Sequence, residues 1–468
     1  MTSGLSFGTS GLRGLAAELI GPEARRYVRA FLQGLVERGE AAQALYLGCD
    51  FRDSSPQIIR DCAAAAAEFG VKAVFCGTIP TPALAAHAMA AGAPSIMVTG
   101  SHIPQDRNGL KFYTPHGEIS KADEAAIVKA LAPATPGDYA APMADEAEAA
   151  RQRYRARYAE FLSPGALAGK RIGVFEHSSV ARDLLAEILR FFGADVVPLG
   201  RVNGFVAVDT EAFGDPIFAP LAEWVRDHQL DAVVSTDGDA DRPLLMDNEG
   251  HFVRGDVLGL LTARFIEADS VVTPVTSNTA IEATGYFSEV LRTRVGSPYV
   301  IEAMEGLVEH EGQRVIGFEA NGGTLLGSDL SGSTTLGRLM TRDAVLPLLG
   351  ALGLASRHGM SISDLVANLP LRAAMSNRLE NVPQEASRAF LARLGTTESA
   401  AEFFAPRKII RSAAIDGLQF WLEDGSMIHY RASGNAPELR CYVEADSREQ
   451  AERALEWGLA AAGEIIGR

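Results

Sequence analysis

The chain has 468 residues, of which 47% are hydrophobic. It is long enough for roughly three or four packed cores and too apolar for a disordered chain. Its 59 acidic and 43 basic residues leave a net charge of −16, which excludes a broad nucleic-acid surface and confines any anion site to a local cluster of cations.

The opening residues, MTSGLSFGTSGLRG, have no basic stretch followed by an apolar one, so no export signal is expected. Within them GTSGLRG, Gly8 to Gly14, sets Ser10 and Arg13 among glycines. Backbone there can approach a ligand closely, or form a flexible loop. ALYLGCD and VKAVFCG then read as short buried strands, and SPQIIRDCAAAAAEFG between them as a helix ending at Gly70. The apolar stretch from Ala83 to Val98 is cut by His87, Gly92 and Pro94, so it is no membrane span. Four scattered cysteines, Cys49, Cys62, Cys76 and Cys441, lack metal spacing and read as reduced thiols of a cytoplasmic protein.

SIMVTGSHIPQDRNGLKFY follows, a buried strand that breaks at Gly100 into Ser101 and His102 and returns to apolar residues around Lys111. Ser101 is either a turn residue or a nucleophile. In a strand it and His102 would point to opposite faces, so adjacency alone does not pair them. SKADEAAIVKAL is a helix with Ser120 and Asp123 placed as a capping box. APATPGDYAAPMADEAEAA, rich in Ala, Pro and acid, reads as crossing a boundary.

A second α/β cycle begins with the strand KRIGVFEH and the amphipathic helix SVARDLLAEILRFFG, whose Leu184, Leu185, Ile188 and Phe192 share a face. The strand AVVST runs into DGDADR, Asp237 to Arg242. Extended backbone would put Asp237, Asp239 and Asp241 on one face, and a turn at Gly238 could wrap them round an ion. Three close carboxylates repel, and a hard cation such as Mg²⁺ relieves that. A solvated acidic turn or a helix cap has the same composition. A third cycle holds DSVVTPVTSN, the loop RTRVGSPYV and RVIGFEANGG. Here Glu319 and Asn321 could bind paired hydroxyls or form a structural turn, and VGSPYV could start a helix. The recurrence at about a hundred residues reads as a repeat of fold, with no repeat of residues.

From about residue 370 the pattern changes to antiparallel strands. GLQFWLEDGSMIHYRASGNAPELRCYVEAD alternates apolar and polar residues round a hairpin at Asp424-Gly425. RASGNAPELR, Arg431 to Arg440, supplies guanidinium, hydroxyl and N–H donors, suited to a phosphate or to a polar hairpin connection. The last helix begins at Ser447, with Gln450 as its capping-box partner.

Taken in order, GTSGLRG, TGSHIPQDRNGLKF, DGDADR, GFEANGG and RASGNAPELR resemble the α-D-phosphohexomutase family. The resemblance implies an α/β fold of three similar mixed domains plus a smaller C-terminal α+β domain with an antiparallel sheet, around a central cleft. The expected units are 1–145 with a phosphoserine loop, 146–253 with a metal loop, 254–368 with a sugar loop and 369–468 with a phosphate loop. It also implies exchange of phosphate between O6 and O1 of a hexose, through phospho-Ser101 and a hexose 1,6-bisphosphate that also activates the enzyme.

One Mg²⁺ per subunit would lie on Asp237, Asp239, Asp241 and Ser101. Lys111, Arg13 and Arg242 would stabilise the phosphoryl oxygens, with Lys111 or His102 relaying a proton. Glu319 and Asn321 would hold the sugar. Arg431, Ser433, Gly434 and Asn435 would hold the second phosphate, and Ser10, Ser297, Tyr299 and Arg440 complete the substrate set. Ile103 stands where the family often has Asn, and Gly323 where many mannose-type members have His. Mannose 6-phosphate is the favoured substrate, with glucose as a second. Phosphoglucomutase, phosphoglucosamine mutase and a metal-dependent sugar phosphatase are the alternatives. A small-molecule sugar phosphate is the expected partner, with no nucleic acid and no membrane, for a monomer or homodimer.

Overall fold

The computed structural model describes residues 4–8, 11–133, 141–308, 312–434 and 437–467. Among them the strands form four sheets, and three sheets share one four-strand core. In each, three parallel strands lie in the order third, first, second, and an antiparallel strand flanks the third. In the first sheet these are Ser95–Val98, Ala44–Cys49 and Lys72–Thr78, flanked by Arg107–Thr114. In the second they are Ala232–Thr236, Arg171–His177 and Asp195–Arg201, flanked by Pro243–Met246. In the third they are Val315–Phe318, Ser270–Pro274 and Glu289–Thr293, flanked by Thr324–Leu326. The sequence-level recurrence is therefore a true repetition of topology.

The third parallel strand is buried along its whole length and mostly apolar in all three sheets. Helices covering both faces of a parallel sheet explain such unbroken runs. The chain then turns back antiparallel, and the reversal projects a loop from the carboxyl end of the strand. Residues 99–106, 237–242 and 319–323 are those three loops, at equivalent places. Carboxyl ends of parallel strands are where α/β sheets meet ligands.

The first sheet extends beyond this core. Leu12–Leu15 pairs antiparallel with Arg107–Thr114, setting Arg13 opposite Gly109, so this part of GTSGLRG is strand rather than loose loop. At the other edge Met143–Asp145 adds a parallel strand to Lys72–Thr78. Its three residues in an Ala- and acid-rich stretch carry no alternation, which hid it from the sequence.

The local signals are met at most helix ends. Gly70 takes φ 75° after the helix Ser55–Glu68, and Ser120 with Asp123 forms the full capping box. Leu184, Leu185, Ile188 and Phe192 are buried. Ser447 accepts from the Gln450 backbone N–H, but the Gln450 side chain donates to the Asp424 carbonyl at 2.8 Å, so only half the expected box forms. VGSPYV does start a helix, Ser297–Val308. The fourth sheet is antiparallel, with the hairpin of Leu418–Leu422 and Met427–Ala432 turning at Asp424 and Gly425. All four cysteines are free and buried, and no described helix is long and apolar enough to cross a membrane.

The helix Ala147–Arg157 ties the first sheet to the third. Tyr154 donates to Asp343 at 2.6 Å, Tyr158 donates to the other Asp343 oxygen, and both rings are buried. Burial, then the Asp343 charge, pushes both phenols up, so they stay donors. Tyr154→Phe should lower stability by about 2 kcal/mol, the loss of one hydrogen bond to a carboxylate, and leave any activity unchanged. Thermal unfolding beside wild type checks this, and an unaltered melting temperature contradicts it.

Candidate active site

The serine loop is held from beneath by one arginine. Arg52, 1% exposed, donates to the carbonyls of Ser101, Ile103, Pro104 and Arg107 at 3.2, 2.6, 2.6 and 2.9 Å. Its Nε bonds Asp50 at 3.1 Å, and the Phe205 ring lies 3.9 Å from the guanidinium carbon. Asp50 in turn accepts from the Thr99 hydroxyl at 2.8 Å. A Cβ on Gly100 would lie 2.6 Å from the guanidinium carbon, so this close approach requires glycine. Ser101 takes φ 54°, a left-handed conformation that costs a non-glycine residue about 1–3 kcal/mol. Because the chain is turning here, Ser101 Oγ and His102 Nδ1 approach to 3.3 Å, which a strand would not allow. Ser101 Oγ also donates to Asp237 Oδ2 at 2.5 Å. Ser101 is therefore a turn residue whose hydroxyl is aimed into the aspartate loop.

Asp237, Asp239 and Asp241 converge, with one oxygen of each within 4.8 Å of the others, and none is more than 1% exposed. They do not use the extended backbone expected from their spacing. The Asp237 N–H donates to the Arg242 carbonyl at 3.0 Å, closing a turn in which Ala240 takes φ 59°. Gly238 serves another purpose: a Cβ there would lie 2.9 Å from the Ser101 carbonyl, so it lets the two loops touch.

Cations surround the cluster. Lys111 Nζ donates to Asp239 Oδ2 and Asp241 Oδ2, each at 2.5 Å. Arg342 bonds Asp241 Oδ2 at 2.6 Å and Glu319 Oε2 at 3.0 Å, and Thr81 donates to Asp239 Oδ2 at 2.6 Å. Burial and the neighbouring aspartates hold Asp237 well above the usual carboxylate range. Burial also acts to raise Asp241, but Arg342, Lys111 and Arg242 outweigh it and hold that carboxyl well below the range. Burial and Arg242 lower Arg13 to about 10, and the same burial with Arg242 and Arg13 holds His102 far below its ordinary value.

Asp239 Oδ1 and Asp241 Oδ1 are buried without a hydrogen-bond partner. Two orphaned carboxylate oxygens, a third carboxylate and a serine hydroxyl form an all-oxygen donor set, which suits a hard divalent cation.

Next to this cluster, beyond His102, Arg242 and Arg342, lies a cavity of about 470 Å³ whose wall does not include Ser101, Lys111 or the three aspartates. Its wall brings together the predicted Arg13, His102, Arg242, Glu319, Asn321, Arg431, Ser433, Gly434 and Arg440. Arg431 bonds Asp416 at 2.6 Å, and Arg440 bonds Glu438 at 3.3 Å. Ser297 and Tyr299 are not in that wall: Ser297 donates to Glu118 at 2.8 Å, and Arg294 stacks over Tyr299. Ser10 and Asn435 lie outside the described residues. The wall also contains Arg342, Ser376, Asn377 and Arg378, which the sequence did not single out. The last three sit on the strand Ala373–Leu379, where polar residues look like an ordinary solvent face. Arg52 had a signal, since DFRD sets three charges directly after a buried strand. A larger cavity of about 920 Å³, between His116, Arg153 and Met340, contains none of the predicted residues.

Arg52→Lys retains the charge but cannot serve four carbonyls. Amide hydrogen exchange across residues 100–107 should quicken at least about tenfold, the equivalent of one charge-assisted bond, while the fourth sheet is unaffected. Exchange at the wild-type rate in that loop would show that other contacts hold it.

Comparison with known proteins agrees with this geometry. Four domain models of the phosphoglucomutase/phosphomannomutase type match in order: alpha/beta/alpha domain I over residues 4–136, domain II over 155–250, domain III over 254–372 and the C-terminal domain over 380–456. A phosphomannomutase of Sinorhizobium fredii is 48% identical over 98% of each chain. One of Salmonella muenchen is 42% identical over 100% of this chain and 97% of its own. The crystal structure of a phosphoglucomutase/phosphomannomutase family protein from Burkholderia thailandensis superposes with a TM-score of 0.77 at 19% identity, covering 98% of this chain and 97% of that one. Four ordered domains, full-length relatives and a shared fold place the chain in the phosphoglucomutase/phosphomannomutase family.

Proposed function

We propose that the protein interconverts mannose 6-phosphate and mannose 1-phosphate through a phosphoserine at Ser101 and a bound mannose 1,6-bisphosphate. The observation that carries this reading is the Ser101 hydroxyl, 2.5 Å from Asp237 within the aspartate cluster, next to His102 in the wall of an arginine-lined cavity. The 48% and 42% identities to phosphomannomutases support mannose as the sugar.

In the first half-reaction a sugar hydroxyl attacks the phosphorus on Ser101. A new sugar O–P bond forms, the Oγ–P bond breaks, and the hydroxyl loses its proton. His102, whose Nδ1 is 3.3 Å from Ser101 Oγ, and Lys111, which bonds Asp239, are the candidates to relay that proton. After the bisphosphate turns over, Ser101 Oγ takes the other phosphoryl group, and the freed sugar oxygen regains a proton. Arg13, Arg242 and Lys111 offset the negative charge on the transferring group, since phosphoryl transfer depends on positioning and neutralisation. Mg²⁺, held by Asp237, Asp239, Asp241 and Ser101, would supply further charge neutralisation at the phosphoryl oxygens. Glu319 and Asn321 orient the sugar hydroxyls. Arg431, Ser433 and Arg440 hold the phosphate that is not reacting, whichever end of the sugar carries it.

A coupled assay on one preparation tests this, with the 1-phosphates of mannose, glucose and glucosamine as substrates. Mannose 1-phosphate should give the largest kcat/KM, and catalytic amounts of mannose 1,6-bisphosphate should stimulate turnover. Ser101→Ala should lose activity, because no phosphoryl acceptor remains. A preference for glucosamine would overturn the sugar assignment. Consumption of the bisphosphate to free phosphate, without stimulation, would identify a phosphatase instead.

A further inference from the structure

Arg342 is fully buried, lies on the strand Leu339–Asp343 and faces two functional loops at once. One end of its guanidinium fork bonds Asp241 in the aspartate loop at 2.6 Å, and the other bonds Glu319 in the sugar loop at 3.0 Å. Asp241 Oδ2 therefore receives both Arg342 and Lys111, while Asp241 Oδ1 is left without a partner. The stem of the arginine runs over Gly323, where a Cβ would lie 2.6 Å from Arg342 Cδ and 2.9 Å from its Cγ. Gly323 is thus small because the arginine crosses it. Its own N–H is spent on Asn321 Oδ1 at 2.9 Å, so Arg342, Gly323, Asn321 and Glu319 form one packed unit.

We propose that Arg342 is a positioning residue that sets the Glu319 carboxylate for the sugar and partly neutralises Asp241, limiting how tightly the aspartate loop binds a cation. This rests on the sugar-phosphate reading given above. A charge-assisted bond from an arginine whose other arm is anchored on Asp241 restricts the Glu319 carboxylate before the sugar arrives, which favours sugar binding. A fixed positive charge bonded to a cation ligand opposes the cation electrostatically. The two roles have opposite signs, and a residue with a merely structural role would not separate them.

The test measures two constants on each variant: the KM for mannose 1-phosphate at saturating Mg²⁺, and the dissociation constant of Mg²⁺ from the sugar-free protein by calorimetry. Arg342→Ala should raise KM about tenfold or more while tightening Mg²⁺ by roughly tenfold. Arg342→Lys keeps the charge and loses the fork, so KM should rise with Mg²⁺ affinity close to wild type. Gly323→Ala should push the arginine stem aside and raise KM in the wild-type chain, and have a clearly smaller effect in the Arg342→Ala background, where only the contact with Asn321 Oδ1 at 3.1 Å is left. Both constants worsening together would mean general loosening and would overturn the proposal, as would an equal effect of Gly323→Ala in both backgrounds. The calorimetric arm needs no turnover, so a wild-type protein inactive on mannose 1-phosphate would condemn the functional reading alone.

Discussion

Three carboxylates share the interior of this protein, and nearly everything in the cleft follows from keeping them there. At 4.8 Å a pair of like charges repels by roughly 3–4 kcal/mol at an effective dielectric near 20. Burial adds to that cost. The chain meets it with Lys111 from the first sheet and Arg342 from the third, both on Asp241, and Arg242 adjacent in sequence. The cations come from separate domains, so the aspartate loop acts as an electrostatic hub joining them. Two of the same charges, Arg242 and Arg342, also line the cavity, where they would meet the phosphate of the proposed substrate. Two orphaned carboxylate oxygens mark where neutralisation by side chains stops.

Repetition of one topology places this hub. Each of the first three sheets ends its third parallel strand in a loop, and those loops carry Ser101, the aspartates and Glu319. The fourth sheet uses a different device: the connection between Met427–Ala432 and Leu439–Ala445 brings Ser433 and Gly434 to the cavity, between Arg431 and Arg440. Three equivalent loops meeting beside one cavity, with a separate domain closing its wall, suit the proposed reaction, in which one intermediate would be held in two orientations.

Much of this was legible in the sequence because it is local. Apolar runs ending in Gly, Ser or Asp marked the strand ends, and the loop motifs followed directly. What was not legible is non-local. Arg342 lies a hundred residues beyond Asp241, in TRDAVL, with nothing nearby to mark it as functional; only the fold brings it to Asp241 and Glu319. Ser376, Asn377 and Arg378 read as surface residues until the fourth sheet closes over the cleft. The aspartate spacing suggested an extended strand, whereas a left-handed Ala240 turns the chain so that all three oxygens converge. The sugar loop's Gly323 looked like a departure from the family pattern; the crossing arginine stem gives it a steric reason.

On the proposed reading, the aspartate loop exists to support phosphoryl transfer at Ser101. Treating the protein with mannose 1,6-bisphosphate whose phosphoryl groups carry heavy oxygen, and mapping the label by peptide mass spectrometry, tests that reading. Label should appear on Ser101 in the wild-type chain with Mg²⁺, be lost on chelation, and be absent from the Asp239→Asn chain at limiting Mg²⁺. Full labelling of Ser101 with the metal removed, or label on another residue, would contradict it.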